Sequence, residues 1–259
     1  MRQPAVSIRD LGVTFAGKRN GEVVPVLHDV CADVMGGEFV CVVGPSGCGK
    51  STLLNIVAGF IPATTGDVLV EGVPVTRPDP RRIFVFQENG VFPWLTVREN
   101  ISFGLRGRTN AERTELVRRY VEMVGLTGFE EMYPRELSGG MRQRVEIARA
   151  LAADPDIIYM DEPFGALDFL TRLKMRTDLI RIWQTERKTI LFVTHDIEEA
   201  VQLADRIFVM TQRPATIQKI VDVNLPRPRN LDSPDYLKTR DEIFALMGMS
   251  LRVGESVIS

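Results

Sequence analysis

The chain has 259 residues, 44% of them hydrophobic and 25% charged, with 32 basic against 34 acidic residues and a net charge of -2. That balance fits a soluble globular protein with ample core material and gives no sign of a polyanion-binding face, so nucleic acid is not an expected partner. No apolar run approaches the roughly 18 residues of a membrane span, and the start MRQPAVSIRD has no apolar signal core; with three cysteines (Cys31, Cys41, Cys48) suited to reduced thiols, the expectation is a cytoplasmic chain.

In chain order, VSIRDLGVTF and PVLHDVCADV within 5–36 alternate around turn residues at 17–21, which predicts an antiparallel sheet. FVCVVG (39–44) is apolar throughout, as a strand buried on both faces should be, and a helix is expected over 50–58. RIFVFQ (82–87) is a second such strand. TVRENISFGL, AERTELVRRYVEMVG and SGGMRQRVEIARALAA then follow as three helix-like stretches with no strand between them. Strands at 156–162, 189–195 and 206–210 alternate with helices at 169–186 and 197–204, the pattern of a mostly parallel sheet covered by helices. From 212 the text is punctuated by proline, and a last helix is expected over 235–248. We therefore read 1–259 as one domain. Its core with a β subdomain covers about 5–89 and 153–225, an α-helical insertion about 90–152, and a short tail with a helix 226–259.

The loop GPSGCGKST (44–52) lies between a strand and a helix and matches G-x-x-x-x-G-K-[ST]. Glycines let successive backbone N–H groups curl around an anion, and the helix start adds its dipole. Lys50 would reach the terminal phosphates of a nucleoside triphosphate, and Ser51 would offer its hydroxyl to Mg2+. IIYMDE (157–162) ends a strand on two acids. Asp161 would hold Mg2+ through water, and Glu162 would polarise an attacking water. On its own such a pair is usually a solvated turn. LSGGMRQR (137–144) opens the next helix at Ser138 with Gly139 and Gly140, a second anion site that one bound nucleotide does not need. That surplus suggests a cradle for a nucleotide held by another molecule.

These ordered motifs resemble the nucleotide-binding subunits of ABC transporters over about residues 6–225. Gly44, Pro45, Ser46, Gly47, Cys48, Gly49, Lys50, Ser51 and Thr52 look like the Walker A motif, and IIYMDEP looks like Walker B. Leu137, Ser138, Gly139, Gly140 and Met141 look like the family signature, with Met141 where the common form has glutamine. Gln87 matches the Q-loop glutamine, Asp168 in GALD the D-loop, and His195 in VTHD the switch histidine. Phe15 sits where the family places an aromatic that stacks on adenine. The resemblance implies a P-loop ATPase fold with an antiparallel β subdomain and an inserted helical subdomain. It further implies ATP and Mg2+, catalytic roles for Glu162, His195 and Gln87, and metal contacts from Ser51, Gln87 and Asp161. It also implies a head-to-tail homodimer that sandwiches ATP and drives integral membrane permease subunits from the inner face of the membrane, served by a solute-binding protein.

Within that family, QENGVFPWLTVRENISFGL (87–105) and RPATIQKIVDVNLPRPR (213–229) are similar to the nitrate, sulfonate and taurine importers. An exporter ATPase, or a soluble relative acting on nucleic acid, is the alternative. The chain has one cassette, no sustained heptads and no fused membrane helices, which fits a separate importer subunit better. The solute itself is not written in this subunit. In VFPWLTV (91–97), Phe92, Trp94 and Leu95 either pack the helical insertion onto the core or receive a helix from a membrane partner, with Trp94 as the anchor.

Overall fold

The computed structural model describes residues 3–17, 22–86, 90–105 and 107–249. The elements run β1 (Val6–Ala16), β2 (Val23–Val34), β3 (Phe39–Val43), α1 (Lys50–Ala58), β4 (Thr65–Val70), β5 (Val73–Pro74), β6 (Arg82–Val85), α2 (Val97–Ser102), α3 (Asn110–Met123), α4 (Gly139–Ala152), β7 (Ile157–Asp161), α5 (Phe169–Glu186), β8 (Thr189–Val193), α6 (Ile197–Leu203), β9 (Arg206–Met210), β10 (Ile217–Asp222) and α7 (Pro234–Leu246). The strands form a four-stranded sheet, β2-β1-β4-β5, and a six-stranded sheet, β10-β9-β3-β8-β7-β6. No described helix is long and apolar enough to cross a membrane. The chain divides into two compact units, Met1–Arg77 with Phe192–Ser259, and Pro78–Leu191, the division falling within β8.

In the first unit, every residue of β3 is buried, as the unbroken apolar run FVCVV predicts. β9 lies parallel to it, Val40 opposite Arg206 and Val43 opposite Val209. β10 adds antiparallel to β9. This strand was not expected in the proline-punctuated tail, because IQKIVD is short and only Val221 in it is buried. The four-stranded sheet is antiparallel, with β1 between β2 and β4. Its β4–β5 hairpin was also unanticipated; Glu71 and Gly72 turn it with positive φ, the two-residue signature of a tight hairpin. The tail closes over α6. Arg227 pairs with Asp205 at 2.6 Å, and Arg229 donates to the carbonyl oxygens of Val201 and Ala204 at 2.5 and 2.6 Å. Those are carbonyls that a helix end leaves without intrahelical partners. Burial lowers the Arg229 pKa to about 10.

In the second unit, β6 and β7 pair in parallel, Arg82 opposite Ile157 and Val85 opposite Met160. Between them in sequence come α2, α3 and α4. Thr96 and Thr109 start α2 and α3 as reciprocal capping boxes with Glu99 and Glu112. α4 buries Val145, Ile147, Ala148, Ala150 and Leu151. α5 is tied to α4 by the Arg144–Asp178 pair at 2.7 Å.

Candidate nucleotide site

The site residues fall in both units, and each set is described within its own. In the first, β3 ends at Val43 and the loop 44–49 turns directly into α1. Gly47 and Gly49 have φ of 73° and 122°, values that side-chain-bearing residues resist. A Cβ on Gly49 would also come within 2.9 Å of Val26. Lys50 is 5% exposed. Its ammonium donates to the carbonyl oxygens of Gly44 and Pro45 at 2.9 and 3.0 Å, and no carboxylate pairs with it among the described residues. A desolvated cation held by neutral oxygens of its own loop is poised for an anion. Ser46, Gly47 and Ser51 are exposed, Pro45 and Thr52 half-buried, and Gly44, Cys48 and Gly49 buried. Burial pushes the Cys48 thiol pKa up, so it packs rather than reacts. All three cysteines are free thiols.

His195 stands at the same sheet end, because the Thr194 N–H donates to the Val42 carbonyl oxygen at 3.2 Å. His195 is exposed, but the backbone that carries it is fixed on either side. The Thr194 hydroxyl donates to buried Glu199 at 2.6 Å and accepts the Asp196 N–H at 3.0 Å. Asp196 caps α6 by accepting the Glu199 N–H at 3.2 Å. Thr194 and Glu199 are supporting residues that the motif reading passed over; the D-x-x-E spacing that opens α6 was the available signal. Phe15, on β1 opposite Val24, is 40% exposed and so presents its ring to solvent.

In the second unit, Asp161 and Glu162 emerge half-buried at the end of β7. Glu162 has φ of 44°. This left-handed backbone costs a residue other than glycine on the order of 1 kcal/mol and concentrates at functional sites. The turn that follows is closed by Gly165 N–H to the Glu162 carbonyl oxygen at 3.0 Å. Asp168 caps α5, and hydrogen bonds from the Thr171 side chain and N–H hold its carboxyl below the usual range. The signature lies beside it. Leu137 is buried, Ser138 exposed, and Ser138 caps α4 by accepting the Met141 N–H at 3.3 Å. Gly140 packs so closely on α5 that a Cβ there would sit 2.5 Å from Thr171, and Gly139 faces Leu167. The fold thus brings the GALD turn and the LSGGM helix start together, though 27 positions separate Asp168 from Met141 in sequence. Gln87 lies outside the described residues.

The loop Phe92–Thr96 is held by buried Asn100. Its carboxamide oxygen accepts the Phe92 N–H at 2.8 Å, and its nitrogen faces the carbonyl oxygens of Phe92, Leu95 and Thr96 at 3.1, 3.0 and 3.0 Å. Trp94 projects from this frame 69% exposed. Phe92 and Leu95 are half-buried, and the Phe92 ring lies 5.5 Å from Trp94 and 4.6 Å from Phe103.

A strand, a glycine loop and a helix built around a buried lysine are the construction of a P-loop nucleotide-binding protein. A family model described as ABC transporter matches residues 27–165. The nitrate import ATP-binding protein NrtD of Synechocystis sp. is 48% identical over 253 residues, covering 93% of this chain and 94% of that one. The aliphatic sulfonates import ATP-binding protein SsuB of Bacillus cereus is 44% identical over 232 residues, covering 90% and 92%. The dimeric structure of a post-hydrolysis state of the ATP-binding cassette MJ0796, bound to ADP and Pi, matches with a TM-score of 0.71 at 32% identity, covering 85% of this chain and 99% of that one. The chain belongs to the ABC transporter family, as one of its ATP-hydrolysing subunits.

Proposed function

We propose that this chain powers an importer of a small anionic or sulfonate-like solute, working as a head-to-tail homodimer that holds ATP between its copies. The observation that carries the solute class is its similarity, along nearly its whole length, to subunits named for nitrate and aliphatic sulfonate import. Gly44–Thr52 wrap the phosphates and the Lys50 ammonium neutralises them, a role that suits a buried cation held by carbonyl oxygens of its own loop. Phe15 offers its exposed ring to adenine. The hydroxyl of Ser51 and the carboxylate of Asp161, with Gln87, are hard oxygen donors of the kind that suits Mg2+. When bound, that ion would offset the charge of the phosphate oxygens. Glu162 accepts a proton from the attacking water, and His195 is held at the sheet end to meet the terminal phosphate. Leu137, Ser138, Gly139, Gly140 and Met141 cradle the nucleotide bound by the other copy, and Asp168 lines the same junction.

In this reading Phe92, Trp94 and Leu95 dock the integral membrane permease subunits, which receive solute from a binding protein. The ATPase then sits on the cytoplasmic face of the membrane as a peripheral subunit, and nucleic acid is no partner. Binding ATP between copies draws them together, and hydrolysis releases them. Glu162→Gln tests the scheme. Hydrolysis should fall by about 10²–10⁴-fold, as when a general base is lost. The variant should collect as an ATP-bound dimer in light scattering with Mg-ATP. A monomer that hydrolyses ATP at the wild-type rate would refute the assignment.

A further inference from the structure

The signature helix α4 also carries two charged side chains that turn inward, onto the chain just ahead of the loop 92–96. Glu146 is 1% exposed. Its Oε2 accepts the Gly90 N–H at 3.1 Å, and Arg149 donates to the Gly90 carbonyl oxygen at 2.7 Å. Both polar groups of one residue's backbone are therefore held by one helix. The seat admits only glycine without rearrangement, since a Cβ on Gly90 would come 2.5 Å from Glu146 Oε1. The Arg149 guanidinium then lies over the Phe92 ring, 4.6 Å from its centre. An unbroken line of contacts runs from Ser138, along α4, through Glu146 and Arg149 to Gly90 and Phe92, and on to Trp94.

The chemical character of this link is unusual for packing alone. Glu146 Oε1 and Arg149 Nη1 have no hydrogen-bond partner among the described residues. Burial pushes the Glu146 carboxyl pKa up and the Arg149 pKa down, and their mutual attraction opposes both shifts. Apolar side chains would fill such a place at least as stably. What charges add is direction: each grips a particular backbone group. We propose that Glu146 and Arg149 form a positioning pair that makes the docking loop follow the signature helix, so that closure of the cradle on the other copy's nucleotide reaches Trp94. This rests on the reading of the signature as a cradle and of Phe92–Leu95 as the docking loop.

The two tryptophans make the test direct, because Trp94 is exposed and Trp183 is 2% exposed, so acrylamide quenches Trp94 selectively. The Glu162→Gln protein is measured with and without Mg-ATP, with light scattering alongside. Formation of the dimer should change the quenching of Trp94. Glu146→Ala or Arg149→Ala, added to Glu162→Gln, should leave ATP binding and dimer formation in place and abolish that change. Glu146→Gln, which keeps an acceptor for the Gly90 N–H, should preserve it. Should an alanine variant not fold, Arg149→Lys reads the same loss, since it keeps the charge and removes the guanidinium that at once donates to Gly90 and lies over the Phe92 ring. A full response from a folded Arg149→Ala or Arg149→Lys dimer overturns the proposal, as does a parent dimer in which Trp94 does not respond. Absence of any dimer in the parent instead overturns the composite-site reading, and the proposal with it.

Discussion

Ser138 shows how much a single position can separate. It is exposed, and its hydroxyl holds the first turn of α4. Ser138→Arg removes that cap, worth about 1 kcal/mol, and puts bulk and positive charge into the proposed second cradle, while Lys50 and its loop are untouched. We expect nucleotide affinity of the monomer near the wild-type value in a fluorescent-nucleotide titration, and little hydrolysis at any protein concentration. Full activity would mean that one chain completes its own site. Glu146 gives a prediction with a sign in pH. Burial raises its folded pKa above the unfolded value, so the folded state binds its proton more tightly. Its contribution to stability is therefore greatest at low pH and falls as pH rises from the ordinary carboxylate value through the raised one. Glu146→Gln escapes that penalty. Denaturation midpoints should favour the Gln variant at neutral pH, and its advantage should shrink as pH is lowered through the same window. An advantage that grew on acidification would contradict the assignment.

At the level of elements, the helices 50–58, 139–152 and 169–186 and the strand 206–210 lie where the sequence pattern put them. The reason is physical. Each apolar run is long or unbroken, and Ser138 and Asp168 mark two of the helix starts with caps that a reader can see. β4, β5 and β10 escaped because they are short and mostly exposed, so alternation hardly registers. Motif spacing singled out Lys50, Glu162 and the signature as candidates, but said nothing of the left-handed backbone of Glu162 or the carbonyl partners of Lys50. Asn100, Glu146 and Arg149 were illegible for another reason. Glu146 and Arg149 meet Gly90 across 56 and 59 positions, and no local pattern encodes such a contact. Asn100 reads as an ordinary polar residue of a short helix, yet Asn100→Ala would leave the Phe92 N–H and the Leu95 carbonyl oxygen without a partner among the described residues, while the Phe92 and Thr96 carbonyls keep only their backbone donors. Stability in urea should fall by about 2–4 kcal/mol, and Trp94 emission should change as its loop loosens. A loss below about 0.5 kcal/mol, the level of an ordinary surface change, would show that the loop holds itself.

For the molecule as a whole, the proposed docking role makes the exposed ring of Trp94 the place where an ATPase cycle would be passed to a membrane partner. An aromatic side chain at the centre of an interface can carry much of its binding energy. Trp94→Ala should leave the purified subunit folded and hydrolysing ATP, with co-purification of its permease subunits and solute uptake both sharply reduced. Lost thermal stability in a protein that still assembles would place the docking surface elsewhere. The loop that presents Trp94 has a further consequence. Its bracket is the buried amide of Asn100, which grips only main-chain groups, whereas its face consists of the side chains of Phe92, Trp94 and Leu95. Support and address are thus largely written in different residues, with Phe92 serving both. Exchanging Trp94 and Leu95, with Phe92 kept under the Arg149 guanidinium, should re-address the motor to another membrane partner without rebuilding the fitting that carries them.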